Sequence, residues 1–239
     1  MLNHYYLEKM MEFRKAELEK VSRQGQQKAD SKGENKKKCL NNVAILIFDD
    51  VEVLDFCGPY EVFNGPNNIK ATKLINVYTV AETSEPIKAN QGLKIIPDYS
   101  IAECPLPDVL IIPGGNGTRR VMKNAWLVQW IRDMHDQVEL LLSVCTGALL
   151  LAKAGLLNGL AATTHHTAFN ELLVAAPSVR ITKNKKFVDN GKIISAAGVS
   201  AGINMSLYVL GKIYGSDLAL DVSKYMEYDW DPRKNCNHG

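Results

Sequence analysis

The sequence predicts an α/β fold: a mostly parallel sheet with helices on both faces. Three observations predict it. Continuous apolar, β-rich runs recur along the chain, as strands buried on both faces require. Helical stretches fall between those runs, which is the alternation that parallel crossovers produce. Residues 43–230 are of the size that one such domain needs.

The elements follow in order. VAILIF (43–48), LINVYTV (74–80), VLIIP (109–113) and ELLLSV (139–144) read as the buried strands, and LKIIP (93–97), VRIT (179–182) and KIISA (192–196) as shorter ones. Helices are expected over 58–63, 125–137, 146–154, 168–175 and 201–214. Before them, residues 1–42 form a charged extension. Leu7, Met10, Met11, Leu18 and Val21 give it a loose helical spacing, and 23–38 hold almost no apolar side chain. Such a stretch cannot bury enough surface to offset its ordering entropy, so a flexible linker is expected there. Residues 231–239 are a short tail.

Composition excludes several function classes. The chain of 239 residues is 46% hydrophobic with a net charge of +2, which argues against disordered, collagen-like or supercharged chains. The basicity sits in the extension, where ten Lys and Arg face six Asp and Glu; the body is slightly acidic and carries no electrostatic footprint for nucleic acid. Five cysteines (Cys39, Cys57, Cys104, Cys145, Cys236) are irregularly spaced with no CxxC pair. They imply a reduced, cytoplasmic protein with neither a disulfide frame nor a zinc site. No apolar run approaches the roughly 18–20 residues that span a bilayer, and the N-terminus lacks the apolar core of a secretory signal.

In an open parallel sheet, sites form beyond the carboxyl ends of the strands. Three of those ends carry unusual residues. The first is LLLSVCTG (140–147), where a buried strand runs into Cys145 and Thr146–Gly147 opens an apolar helix. This is the thiol counterpart of a nucleophile elbow. The helix N-terminus favours thiolate, so a lowered Cys145 pKa is expected; a merely buried apolar cysteine is the alternative. The second is IIPGGNGTRR (111–120). Gly114 and Gly115 let backbone amides approach a ligand, as an oxyanion-type pocket beside a cysteine requires, and no Walker motif follows. The third is LDFCGPYEVF (54–63). Asp55 lies between apolar neighbours, where a carboxylate needs a partner or a shifted pKa. It can serve a thiol as general acid or base, or cap a helix. A fourth feature is TTHHTAFNELL (163–173), whose His165 and His166 sit between a strand and a helix and suggest no metal by themselves.

Together these motifs resemble the ThiJ/PfpI superfamily, single-domain relatives of the class-I glutamine amidotransferases. The matching stretches are LDFCGPYEVF (54–63), IPGG (112–115), SVCTGALLLAKAGLLNGLAATTH (143–165) and AAGVSAGIN (196–204), and they are similar to the isonitrile hydratase-like branch. The resemblance implies a flavodoxin-like three-layer sandwich, a homodimer, no cofactor and no metal. It implies Cys145 as nucleophile with Asp55 hydrogen-bonded to it. It places the amides of Gly115 and Thr146 toward the reacting atom and His165 in the pocket. Thr146 stands where the peptidase-like branch has His, which removes an adjacent Cys-His pair and argues against proteolysis. Cys57 and His166 replace Thr and Trp of the hydratase pattern.

The function expected from these residues is a cysteine-dependent hydratase or hydrolase of a small electrophile, with an isonitrile as the implied substrate. Glyoxalase- or deglycase-type chemistry on the same thiol stays open. So does a non-enzymatic ligand sensor or a redox and stress protein. The same domain type forms one half of many AraC-type regulators, but no helix-turn-helix pair follows here, so DNA binding is not expected.

Overall fold

The computed structural model describes residues 40–232. The expected extension, apart from its last three residues, and most of the tail lie outside the described residues. The chain opens with β1 (Asn42–Leu46) and α1 (Val53–Ile69), then β2 (Asn76–Ala81). A hairpin of β3 (Ile87–Lys88) and β4 (Lys94–Ile95) leads to β5 (Tyr99–Ser100), β6 (Val109–Ile112) and the short helix α2 (Thr118–Val121). Next come α3 (Ala125–Gln137), β7 (Leu140–Val144), α4 (Gly147–Lys153), β8 (Ala161–Ala162) and α5 (Phe169–Ala175). The chain closes with β9 (Arg180–Ile181), β10 (Phe187–Asp189), β11 (Ile193–Ala196), α6 (Ala201–Tyr214) and α7 (Ser216–Tyr225).

Seven strands form the main sheet in the order β10-β11-β7-β6-β1-β2-β5. Every pairing is parallel except β10 with β11. β6, β7 and β11 are buried along their whole length, and β1 along all but its first residue. Two-sided burial is why these strands read as unbroken apolar runs. On one face α1 packs against α6 and α7; on the other α4 touches α2, α3 and α5. This is the expected three-layer, flavodoxin-like sandwich. The chain leaves β1 toward β2 and later returns to β1's other side with β6. That reversal opens a crevice at the carboxyl ends of β1 and β6.

Some expectations need correction. The helix expected over 58–63 extends from Val53 to Ile69 and runs through Pro59 and Pro66. Packing against α6 and α7 overrides a local signal that reads as a late start and an early stop. LKIIP does not join the main sheet; only Lys94–Ile95 is extended, in the hairpin with Ile87–Lys88, and Ile96 is 74% exposed. VRIT contributes only Arg180–Ile181, paired with Ala161–Ala162 outside the main sheet. The edge strands β5 and β10 and the helices α2 and α7 were not signalled. Among the described residues no helix is long and apolar enough to cross a membrane.

Contact between α1 and α7 depends on a missing side chain. A Cβ built on Gly65 would lie 2.5 Å from a γ-carbon of Val222, which is fully buried. A branched buried side chain cannot swing away, so Gly65→Ala is expected to destabilise the fold by about 1–3 kcal/mol. In α6, a Cβ on Gly211 would meet nothing closer than 3.5 Å. Gly211→Ala is therefore expected to be neutral or to stabilise by up to ~1 kcal/mol through helix propensity. Urea midpoints of the two variants check this contrast.

Candidate active site

Cys145 sits between the end of β7 and the start of α4 with φ +57°. A non-glycine residue persists in that left-handed conformation only where its surroundings over-determine it. Here they do. Its N–H donates to the carbonyls of Ala197 (2.9 Å) and Ala196 (3.2 Å), and its carbonyl accepts from the fully buried hydroxyl of Thr164 (2.7 Å). Two residues on, Gly147 passes so close to β6 that a Cβ there would overlap the Ile112 carbonyl oxygen. The sharp turn expected at this strand end is thus a nucleophile elbow in geometry.

The neighbouring strand ends supply the rest. After β1, Asp55 lies in the first turn of α1 and is completely buried. Its Oδ2 accepts from the Gly114 amide, which follows β6, at 2.9 Å. Its Oδ1 has no hydrogen-bond partner among the described residues, and Cys145 is the thiol whose interaction with this carboxyl shifts the pKa of both groups. Burial raises the Asp55 pKa to about 7, against smaller downward pulls from the Gly114 amide and the Cys145 thiol. Glu52, one turn earlier, pushes it further up.

The thiol corrects one expectation. Cys145 is 6% exposed, and its pKa is pushed up to about 12, first by burial and then by the charge of Asp55. The amides of Thr146 and Val199 hydrogen-bond the sulfur and pull the other way, but they do not outweigh burial. The expected lowering took the helix N-terminus as dominant; a helix of only seven residues, with its first turn buried, leaves desolvation in control. Val199 follows β11 and has φ +44°, an outlier for a β-branched residue. That conformation accompanies its amide's contact with the sulfur.

The glycine loop also differs from expectation. Gly114 and Gly115 were expected to aim their amides at a reacting atom. The Gly114 amide is taken by Asp55, and the Gly115 amide donates to the Thr146 hydroxyl at 3.0 Å. The Thr118 hydroxyl donates to the Gly115 carbonyl (2.8 Å) and lies 3.0 Å from the Thr146 hydroxyl. These bonds lock the loop onto the elbow. A Cβ on Gly114 would come within 2.6 Å of the Thr146 amide nitrogen and hydroxyl oxygen, so the close fit itself requires glycine. Of the amides expected at the reacting centre, that of Thr146 meets the sulfur, and Val199 supplies the second.

His165 borders the same turn: a Cβ on Gly198 would touch its imidazole. Its Nδ1 accepts from the Thr167 amide (3.4 Å) and lies 2.8 Å from the Thr167 hydroxyl. In the neutral ring that leaves the proton on Nε2. Desolvation, then His166 and Arg119, lowers its pKa, so at neutral pH it is a donor rather than a charge. His166 is exposed and lies against the His165 ring at 4.3 Å. Cys57 is half-buried in α1, and burial raises its pKa. Sequence reasoning missed Val199, which contributes an amide and so leaves no side-chain signal. It also missed the loop-locking role of Thr118. Among the described residues no group of three His, Cys, Asp or Glu could hold a metal ion. A cleft of about 300 Å³ at the ends of β1 and β2, lined by Phe48, Glu82, Arg120 and Leu127 among others, contains no cysteine or histidine.

Residues 41–212 match the model of the DJ-1/PfpI family. The chain is 32% identical over 186 residues to the isonitrile hydratase of Pseudomonas putida, covering 78% of each protein. It is 26% identical over 188 residues to the HTH-type transcriptional regulator GbdR of Pseudomonas aeruginosa, of which it spans 51%. Among solved structures it is similar to a ThiJ/PfpI family protein from Pseudomonas syringae. That match has TM-score 0.71 and 27% identity and covers 87% of this chain and 86% of the other.

The raised Asp55 pKa carries a signed stability consequence. Between its unfolded value of 3.8 and about 7, the folded state holds a proton that the unfolded chain has released. Stability from this group is therefore full below about pH 4 and lost as pH rises through 7, at up to ~1.4 kcal/mol per pH unit. Asp55→Asn is expected to flatten that slope, so the variant gains on the wild type between pH 5 and 8. Denaturant titrations at several pH values measure the difference.

Proposed function

The chain belongs to the DJ-1/PfpI family, and from that premise we propose that it is a cysteine-dependent hydratase that converts a small isonitrile to an N-substituted formamide. The observation that carries the reading is the pairing of a buried carboxyl of pKa about 7 with the thiol of a left-handed elbow cysteine. The similarity over most of the length of an isonitrile hydratase supports the choice of substrate.

At neutral pH the two groups hold one ionisable proton between them for part of the population. With Asp55 near 7 and Cys145 near 12, that proton rests on sulfur. In the proposed reaction Asp55 accepts it as sulfur attacks the terminal isonitrile carbon, then delivers it to that carbon. The product is a thioimidate, R–N=CH–S–Cys145. Water adds to the imidate carbon, the C–S bond breaks, and the proton returns to sulfur. The net change is isonitrile plus water to formamide, with the thiol regenerated. The amides of Thr146 and Val199, which donate to the sulfur, stabilise negative charge on it as its proton leaves. A thiolate beside a protonated Asp55 holds the same number of protons. Rate therefore follows the singly protonated pair, whichever group carries the proton.

Two consequences are measurable with the purified chain and a small neutral isonitrile. Cys145→Ala and Asp55→Ala are each expected to remove turnover while leaving the fold intact by circular dichroism; for Asp55 the loss is about 10²–10⁴-fold or more. For the wild type, kcat/KM is expected to rise as pH increases through about 7, as Asp55 ionises. Undiminished turnover in either variant, or a flat profile from pH 5 to 9, would falsify the mechanism. Half of a transcriptional regulator is also similar to this chain, which favours ligand sensing as the second reading. Retained isonitrile binding with no formamide formed would select it.

A further inference from the structure

We propose that Arg119 selects, for attack by Cys145, electrophiles that carry a carboxylate or comparable anionic group beyond the reacting carbon. The proposal rests on the cysteine-centred reading above and adds the class of substrate.

Arg119 belongs to the IPGGNGTRR run, whose arginines the chemistry so far leaves unused. It directly follows Thr118, the residue whose hydroxyl lies 3.0 Å from that of Thr146 and bonds the Gly115 carbonyl. The start of α2 is thereby pinned beside the residue after the nucleophile. From there the side chain reaches to α5, where Nε and Nη2 donate to the two carboxylate oxygens of Glu171 at 3.0 and 2.6 Å. The chain enters α5 from His165 through a single 3₁₀ turn, His166–Ala168. The ion pair thus spans from the glycine-loop wall of the site to its histidine wall.

A guanidinium has five N–H donors in a rigid fork. Glu171 takes two of them along one edge, which fixes the plane of the group. No acceptor among the described residues takes the other three. Arg119 remains 41% exposed, so those donors are available to a ligand. Its charge acts on both Cys145 and His165. On the other wall stands the carboxylate of Glu52, held by the Asn90 side chain at 2.9 Å and acting on Asp55 and His165. The groups that act on the site therefore differ in sign: the carboxylate of Glu52 at the start of α1 and the guanidinium of Arg119 in α2, which is itself paired with Glu171. A substrate with its electrophilic carbon over the sulfur and a carboxylate toward Arg119 is aligned by that field, whereas the reverse pose sets its anion against Glu52. The next residue, Arg120, turns the other way and bonds Asp50 and the Asp49 carbonyl, which makes it the natural control.

The test compares iodoacetate with iodoacetamide, two alkylating reagents of nearly equal size that differ in charge. Their rates at Cys145 are followed on the full chain by peptide mass spectrometry. In each case sulfur displaces iodide and its proton passes to solvent, so changes in thiol reactivity cancel in the rate ratio. Arg119→Gln is expected to lower the iodoacetate-to-iodoacetamide ratio at least about fivefold, while Arg120→Gln leaves it within about twofold. A ratio unchanged in Arg119→Gln, an equal fall in Arg120→Gln, or native Cys145 unreactive toward both reagents overturns the proposal. Turnover of a neutral isonitrile is measured alongside. Turnover of isocyanoacetate, which carries the carboxylate, is measured too; absence of turnover of both isonitriles together with the expected ratio shift would remove the hydratase reading and leave the selectivity of Arg119 standing.

Discussion

The site depends on one backbone constraint, the left-handed conformation of Cys145. Such a residue costs about 1–3 kcal/mol and persists only under surrounding restraint. The restraint comes from the sheet itself. The last residue of β11 and the residue after it offer two carbonyls to the cysteine amide, Thr164 seizes its carbonyl, and the absence of a side chain at Gly147 lets the helix start against β6. These contacts hold the cysteine at the carboxyl end of β7, next to β6 and one strand from β1, where the winding of the sheet reverses. Four adjacent strands then deliver one group each: Asp55 after β1, the glycine loop after β6, the thiol after β7 and the Val199 amide after β11.

Burial has two opposed effects on this assembly. It raises the pKa of both the thiol and the carboxyl, so neither charge is present at rest for free. It also strengthens every hydrogen bond aimed at a charge that appears during reaction. A solvated cysteine with a low pKa would be a better resting nucleophile and a weaker base for closing the cycle. In the proposed mechanism, a thiol held protonated beside a carboxyl of pKa about 7 instead forms its nucleophile as the proton moves, and the proton stays within reach for the next bond.

Much of this was legible in the sequence, and the reasons for the rest are physical. The elbow was readable because a buried strand, a cysteine and a small-residue helix start are contiguous in the chain. The bounds of α3 and α6 agree with their sequence periodicity. By contrast, α1 was truncated in the reading because Pro59 and Pro66 signal breaks that tertiary packing overrides. The run at 93–97 has the composition of a strand, but only two of its residues pair, and in a hairpin. The direction of the Cys145 pKa was misjudged because helix starts are visible in sequence and the depth of burial is not. Val199 and Thr118 were invisible for a related reason: one acts through its backbone amide, the other through a hydroxyl whose partners lie 28 residues away or on the loop itself.

For the proposed mechanism, elimination among the described residues narrows the proton carrier to a single side chain. Thr146, beside the nucleophile, has no basic group, and its hydroxyl is already engaged with Gly115 and Thr118. His165 accepts from Thr167 at Nδ1 and presents a protonated Nε2, so in this tautomer it has no lone pair to offer. Arg119 is a permanent cation. Glu52 is engaged by Asn90 and acts on Asp55 through its charge. Asp55 alone faces the thiol, titrates near neutrality and keeps an oxygen free of other nitrogen and oxygen partners among the described residues. The Gly114 amide on its other oxygen restrains rotation of the carboxyl. Under the proposed mechanism, the neighbouring acceptors are committed to rigidity and one carboxyl oxygen is kept for chemistry.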